Sequence, residues 1–225
     1  MYSNKVVSYK NFFIGINLAL AFAVASTVEA GSFTFGLKAW NASTSVNGLD
    51  SSTELFFPGF YFSWGVNDRL WIAGGYIEGE FDFAFPGSTT TGSLKEPDSD
   101  ILVGWKFARL RVGVGYRDTE FTTRLLGTAD VVSSVGPTVF FAGSDLFGAS
   151  RWGYYWSAAY MFEDIDDDDG SQEHFNGEAG FWWKSYKEFS ILLGYRYKEF
   201  SGDGAGGLTL DGPVVNLAYT WNWTR

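Results

Sequence analysis

A run of acidic residues is the stretch of the sequence that most directly invites chemistry. It reads EDIDDDDG over residues 163–170, and carboxylate oxygens are the ligands that Ca²⁺ and Mg²⁺ prefer. The spacing does not fit an EF-hand loop, because Gly170 at position six places Ile165 at position one and Asn176 at position twelve. The run is interpreted as a solvated acidic loop. The metal-ligating candidates within it are Asp164, Asp166, Asp167, Asp168 and Asp169.

The single histidine, His174, follows this run and is preceded by Glu173. A histidine beside carboxylates is a combination that general acid–base hydrolysis uses. A nucleophilic hydrolase would need a Ser–His–acid set, and no spacing in the chain supports one. The glycine-rich stretch 202–207 does not lead from a strand into a helix, so it does not predict a phosphate-binding loop. The sequence therefore favours a protein without enzymatic activity.

The composition excludes several other functions. The formal net charge is −10, which argues against a nucleic-acid partner, because binding to phosphates needs clustered Lys and Arg. Cysteine is absent, so neither disulfides nor a thiolate metal site can form. Aromatic residues make up 20 % of the chain and there are 28 glycines. That composition is unusual for a soluble domain, and so many glycines indicate tight turns and crowded interiors.

The first thirty residues have the three parts of a secretory signal peptide. Lys5 and Lys10 precede an uncharged apolar run, and Val28 and Ala30 occupy the −3 and −1 positions of a small-residue cleavage site. The apolar run is short for a membrane span of about 20 residues. The sequence therefore predicts a signal peptide over residues 1–30 and a mature domain over residues 31–225.

The elements that follow are strands, because apolar residues recur at every second position in about ten segments. The clearest segment alternates Leu110, Val112, Val114 and Tyr116 with Arg and Gly. The sixth, residues 137–143, is ambiguous because three bulky residues fall together, so a count of eight strands stays open. Connections between segments alternate between short turns and long polar stretches. The long stretches cover residues 41–53, 86–99, 124–134, 164–173 and 201–212.

The bulky face of these strands predicts a transmembrane barrel. So many Phe, Tyr and Trp side chains would overfill the narrow interior of a small barrel, whereas the opposite face of Gly, Ser, Asn and charge suits one. Short turns at one rim and long loops at the other are typical of such barrels. The predicted fold is an all-β, antiparallel up-and-down transmembrane β-barrel of about ten strands. In the third segment, Trp71 and Ile77 are assigned to the lipid face.

Charged residues of both signs lie on the face assigned to the lumen. An unpaired buried charge is costly, so these residues are interpreted as an ionic plug across the bore. A lining that selects solutes is the alternative. The predicted lumen network consists of Lys38, Glu78, Glu80, Asp82, Asp100, Lys106, Arg111, Arg117, Glu178, Lys184, Arg196 and Lys198.

On its signal peptide, strand rhythm and aromatic C-terminal strand, the chain resembles the small Gram-negative outer-membrane β-barrel proteins of eight to ten strands. The resemblance covers residues 31–225. It implies export to the cell outer membrane, contact with membrane lipid and lipopolysaccharide, and assembly by the barrel insertion machinery. In that class the last strand usually ends on Phe or Trp, whereas here Thr224 and Arg225 follow Trp223.

The resemblance is to an architecture and leaves three functions open. The first is a structural or surface-interaction role through acidic external loops, and the second is a porin-like narrow channel for small solutes. The third is a hydrolase at the rim, since omptin proteases are barrels with an Asp/His pair and an Asp pair there, and Glu80 and Asp82 look superficially similar. No cofactor is expected, apart from divalent cations that the acidic loop would share with lipopolysaccharide.

Overall fold

The computed structural model describes residues 30–46, 49–84, 91–125, 128–162, 172–186, 188–202 and 207–224. Over these residues the chain forms ten strands. Each strand pairs antiparallel with the next, and the first pairs with the last, so the sheet closes into a barrel. The predicted all-β up-and-down barrel is confirmed, with ten strands rather than eight. The strands are β1 (Ala30–Val46), β2 (Leu49–Gly65), β3 (Leu70–Ala84), β4 (Thr91–Phe107), β5 (Leu110–Leu125), β6 (Thr128–Leu146), β7 (Trp152–Phe162), β8 (Gln172–Tyr186), β9 (Phe189–Gly202) and β10 (Leu208–Thr224).

Residues 1–29, which carry most of the predicted signal peptide, lie outside the described residues. The barrel itself begins at Ala30, whose strand partner is Thr224. The described residues include no helix that is long and apolar enough to cross a membrane.

The period of two turns each strand into one outward and one inward face. Large apolar side chains on the outward face are exposed, for example Trp105 at 53 % and Phe181 at 58 %. The alternate positions are buried in the bore, where Lys198 and Arg117 are each 1 % exposed. Buried charge inside and exposed aromatic rings outside invert the pattern of a soluble protein. An apolar exterior with a polar interior is the arrangement that lipid requires.

Tight connections define one end of the barrel, which we call the short-turn rim. In the turn between β2 and β3, the Asn67 side-chain oxygen accepts hydrogen bonds from the backbone N–H groups of Arg69 and Leu70, at 2.8 and 2.7 Å. A two-residue turn joins β4 to β5, and Ala108 adopts a left-handed φ of 53° there. Gly148, with φ 60°, serves the connection between β6 and β7. That connection covers only residues 147–151, because β6 continues to Leu146.

The opposite end of the barrel is taller than the sequence predicted. Much of the polar stretches assigned to long loops is strand, so that β1 ends at Val46 and β2 starts at Leu49. The described strands have 11 to 19 residues, whereas about 9–11 tilted residues cross a bilayer. The barrel wall therefore continues beyond the apolar belt, and polar residues are tolerated on its outward face there because that face meets water.

Tyrosine–carboxylate pairs mark the outer edge of the apolar belt. Tyr76 donates a hydrogen bond to Glu78, and Tyr195 donates one to Asp211. Tyr197 donates one to Glu199 at 2.8 Å. A tyrosine whose ring faces hydrocarbon and whose hydroxyl reaches a polar group is suited to a membrane interface. These pairs place the boundary between apolar and polar exterior near the middle of the strands.

Candidate functional site

The lumen is the candidate site, because it contains most of the buried polar residues of the described chain. Small residues on the inward face make room for it. Gly36 on β1 lies under the ring of Tyr61 on β2, and a Cβ at residue 36 would clash with that ring. The absence of a side chain at Gly36 therefore leaves room on the inward face for the large polar side chain of Tyr61.

Asp98 on β4 is the centre of an ionic layer across the bore. Its carboxylate lies 3.0 Å from the Lys198 ammonium and 3.5 Å from the Arg196 guanidinium, both on β9. Because β4 and β9 are five strands apart in either direction round the ring, these ion pairs span the lumen. On the adjacent strand β5, Arg117 lies 3.5 Å from Asp98 and 3.1 Å from Asp100. The Thr119 hydroxyl also donates to Asp98, at 3.1 Å.

A second ionic group lies around Glu178 on β8. Lys38 on β1 donates to its carboxylate at 2.7 Å. The Tyr155 hydroxyl and the Asn216 amide each donate to the other carboxylate oxygen at 3.1 Å. Three donors from three different strands therefore satisfy this carboxylate, as burial of a charge demands.

An apolar layer completes the closure beside the ionic layer, on the side away from the short-turn rim. Trp40 and Phe57 stack with ring centroids 5.0 Å apart, and both are buried. Leu210 and Val214 of β10 pack against them in one cluster. The Arg196 guanidinium lies 4.9 Å from the centre of the Trp40 ring, a cation–π contact that joins the apolar layer to the ionic one.

A cavity of about 390 Å³ lies between this closure and the short-turn rim. Asp98, Arg117 and Arg196 line its inner end. Lys106 and Arg111, which flank the β4–β5 turn, line its other end. The cavity lining also includes serine and threonine residues, namely Ser32, Thr34, Ser63, Ser144, Ser190 and Thr220.

The structure places most of the predicted lumen residues on the inward face. Four of them, Asp100, Arg117, Arg196 and Lys198, belong to the ionic layer around Asp98. Two more, Lys38 and Glu178, pair with each other in the second ionic group. Lys106 and Arg111 line the cavity. Lys184 is exposed, near the turn that ends β8.

The structure corrects the assignment of the two faces of the third segment. Trp71 and Ile77 are buried in the lumen, so Glu78 and Glu80, of opposite parity, belong to the outward face. Glu78 pairs there with Lys95 at 2.5 Å, and Glu80 is exposed. The assignment failed because these residues lie beyond the apolar belt, where the outward face of a strand is in water. The side chain of Asp82 lies outside the described residues.

His174 is buried in the bore and meets the Phe200 ring edge-on, with centroids 4.3 Å apart. It is 0 % exposed, so no substrate at the rim can reach it in this structure. The acidic candidates Asp164, Asp166, Asp167, Asp168 and Asp169 lie outside the described residues. Among the residues that are described, no group of three His, Asp or Glu side chains could hold a metal ion.

Sequence reasoning missed Asp98, Trp40 and Phe57. Asp98 lies in a polar stretch assigned to a loop, although its spacing of two from Asp100 places both on one strand face. Trp40 and Phe57 are bulky residues on the small, polar face, and they were passed over because the bulky face was assigned to lipid. A break in the alternation of bulky and small residues is the signal that could have identified them. Trp40 is bulky although it directly follows the outward-facing Ala39, and its partner on β10 is Val214.

Comparison with known proteins agrees with this architecture. No family model matches the chain, and no curated protein matches it in sequence. The crystal structure of the outer-membrane protease OmpT from Escherichia coli is similar at a TM-score of 0.52 and 9 % identity, over 88 % of this chain and 98 % of that one. The translocator domain of the autotransporter NalP from Neisseria meningitidis has a TM-score of 0.49 and 9 % identity, over 97 % of this chain and 98 % of that one. The attachment invasion locus protein Ail of Yersinia pestis has a TM-score of 0.46 and 10 % identity, over 85 % of this chain and 99 % of that one.

At such identities the likeness shows the fold alone. By fold, the chain is a closed ten-strand β-barrel of the kind that these outer-membrane proteins form.

Proposed function

We propose that this protein is a closed outer-membrane barrel that acts through its exterior, as a structural or surface-interaction protein. The observation that carries the proposal is the filled cross-section of the lumen. Trp40, Phe57 and Leu210 are buried on one side of it, and Asp98 with its cationic partners is buried beside them. A bore filled by packed apolar groups and cross-lumen ion pairs leaves no continuous path for a solute.

The outward surface beyond the apolar belt supports the same proposal. It presents carboxylates to solvent on several strands, including Glu78, Glu80, Asp118, Glu120 and Glu199. Because the short-turn rim faces the periplasm in barrels of this class, this acidic wall faces the outside of the cell. Its neighbours are then membrane lipid, lipopolysaccharide and whatever reaches the cell surface.

Reconstitution in a planar bilayer tests the proposal directly. The wild-type barrel is expected to give no steady conductance, because the closed layer blocks ions as well as solutes. A double variant, Trp40→Ala with Phe57→Ala, is the matched control, since it removes the two largest apolar side chains of the closure and is expected to raise conductance. A steady wild-type conductance that Arg111→Glu abolishes would instead establish the narrow channel.

The position of His174 favours a non-enzymatic role over a rim hydrolase. Its imidazole is enclosed beside Phe200 and within the field of Lys198 and Arg117, whereas a general base must reach the proton it abstracts. Incubation of the purified barrel with peptides and with lipid A is expected to leave both intact. Hydrolysis that His174→Ala abolishes would contradict this assignment.

A further inference from the structure

The cavity at the short-turn rim contains a pair of like charges that the closure of the lumen does not use. Lys106 and Arg111 are direct partners in the register of β4 and β5. Both side chains line the cavity, so they share the inward face of the sheet. Like charges directly opposite each other on one face of a sheet are destabilising. Two half-buried cations in this position therefore need a source of negative charge.

No carboxylate of the described residues supplies it. Neither Lys106 nor Arg111 forms an ion pair or a side-chain hydrogen bond within the described part of the chain. Asp68, on the neighbouring turn, attracts Lys106 without reaching ion-pair distance. Three carboxylates line the cavity, and all three already have cationic partners: Asp98 and Asp100 in the ionic layer, and Glu178 with Lys38.

The surrounding groups add further hydrogen-bond donors. Lys106 Nζ and Ser32 Oγ would each lie 2.7 Å from a Cβ built on Gly65, so the glycine leaves open the space that the ammonium and the hydroxyl share. Trp71 also lines the cavity and is 1 % exposed, and its indole N–H has no hydrogen-bond partner among the described residues. The wall thus combines cations, hydroxyls and a buried N–H donor.

We infer that this cavity, which we call the rim pocket, binds a small hydroxylated organic oxyanion from the periplasmic side, with Lys106 and Arg111 as its charge partners. Arginine forms paired hydrogen bonds with phosphate and carboxylate oxygens, and lysine adds a compact positive charge. The hydroxyl lining suits the hydroxyls of a sugar. A volume of about 390 Å³ lies within the range of small-molecule sites. A sugar phosphate and a sugar acid share this chemistry.

Calorimetric titration of the purified barrel in a maltoside detergent tests the inference. The probes are glucose 6-phosphate, glucuronate and neutral glucose, which differ in the anionic group and keep the sugar ring. Wild-type protein is expected to bind at least one of the two anions saturably and to show no saturable binding of glucose. The tighter anion identifies which oxyanion the rim pocket prefers. Lys106→Gln and Arg111→Gln are each expected to weaken that binding by about tenfold or more, because each removes one charge-assisted contact.

Arg109→Gln is the matched control. It removes one positive charge from the same rim, but Arg109 lies outside the cavity lining and pairs with Asp145 at 2.5 Å. Its affinity for the anion is expected to equal that of the wild type. A general effect of net charge would weaken binding equally in all three variants and would overturn the proposal. Wild-type binding of the anions no tighter than that of glucose would overturn it as well.

Thermal unfolding of the same proteins, followed by heat-dependent gel migration, separates a binding site from a structural pair. If the two charges exist for a ligand, neutralising either one relieves repulsion, so the unliganded variants are expected to unfold at or above the wild-type temperature. The anion is expected to raise the unfolding temperature of the wild type and of Arg109→Gln only. Unliganded variants that unfold well below the wild type would show a structural role and contradict the inference.

Discussion

Asp98→Asn is the substitution that most sharply tests the closed lumen. Asp98 and Asp100 carry two negative charges against three positive charges on Arg117, Arg196 and Lys198, a formal balance of +1 that the substitution changes to +2. Asparagine has nearly the same shape, so the change removes charge and little packing. Removing one partner from a buried ion pair costs about 3–5 kcal/mol, because the remaining charges stay buried without compensation.

The measurement is urea unfolding of the barrel folded into lipid vesicles, followed by tryptophan emission and by gel migration. The expected loss of unfolding free energy is about 3–5 kcal/mol. Asp145→Asn is the matched control, because Asp145 makes the same kind of ion pair at the short-turn rim with Arg109, whose side chain is 74 % exposed. An exposed pair contributes about 0–1 kcal/mol. If the two substitutions cost the same, Asp98 does not organise the lumen and the account of the closure is wrong.

Three further substitutions test the barrel wall by the same unfolding assay. Val114→Arg places a charge on the lipid-facing side of β5, where Val114 is 54 % exposed, and is expected to cost about 2–4 kcal/mol. Ala149→Arg, in the exposed turn between β6 and β7, is expected to be neutral. Ala108→Gly is expected to raise stability by about 1 kcal/mol, because Ala108 has a left-handed φ of 53° that glycine adopts freely. Gly36→Val is expected to cost about 1–3 kcal/mol, because its side chain would collide with the ring of Tyr61.

The wall of the barrel was largely predictable from the sequence, because the alternation of residues within each strand indicates which side chains face lipid and which face the lumen. The fifth segment, with Val114 outside and Arg117 inside, could be assigned from alternation alone, and closure followed from the need to hide backbone groups from lipid. The third segment failed where Glu78 leaves the apolar belt, since a water-facing exterior there no longer differs in polarity from the lumen. The same change in environment made strand ends appear to be loops.

The contacts across the lumen could not be predicted, because they depend on which residues the closed barrel brings to one level. Asp98 and Lys198 are separated by 100 positions in the chain, and the residues around each of them do not indicate which residue is its partner. The shear of the strands decides their meeting, and alternation contains no information on shear. The like-charge pair of Lys106 and Arg111 is different, since a two-residue turn fixes its register and could have indicated it from sequence.

Quenching of tryptophan emission by lipids with brominated acyl chains tests most directly the claim that hydrocarbon surrounds the aromatic exterior. Trp105 is exposed on the outward face, whereas Trp71 is buried in the lumen. In vesicles, the brominated lipids are expected to quench the wild-type emission strongly, and Trp105→Phe is expected to remove part of the quenchable signal while Trp71→Phe removes none of it. The claim would be contradicted if acrylamide in the aqueous phase quenched the emission and brominated lipid did not.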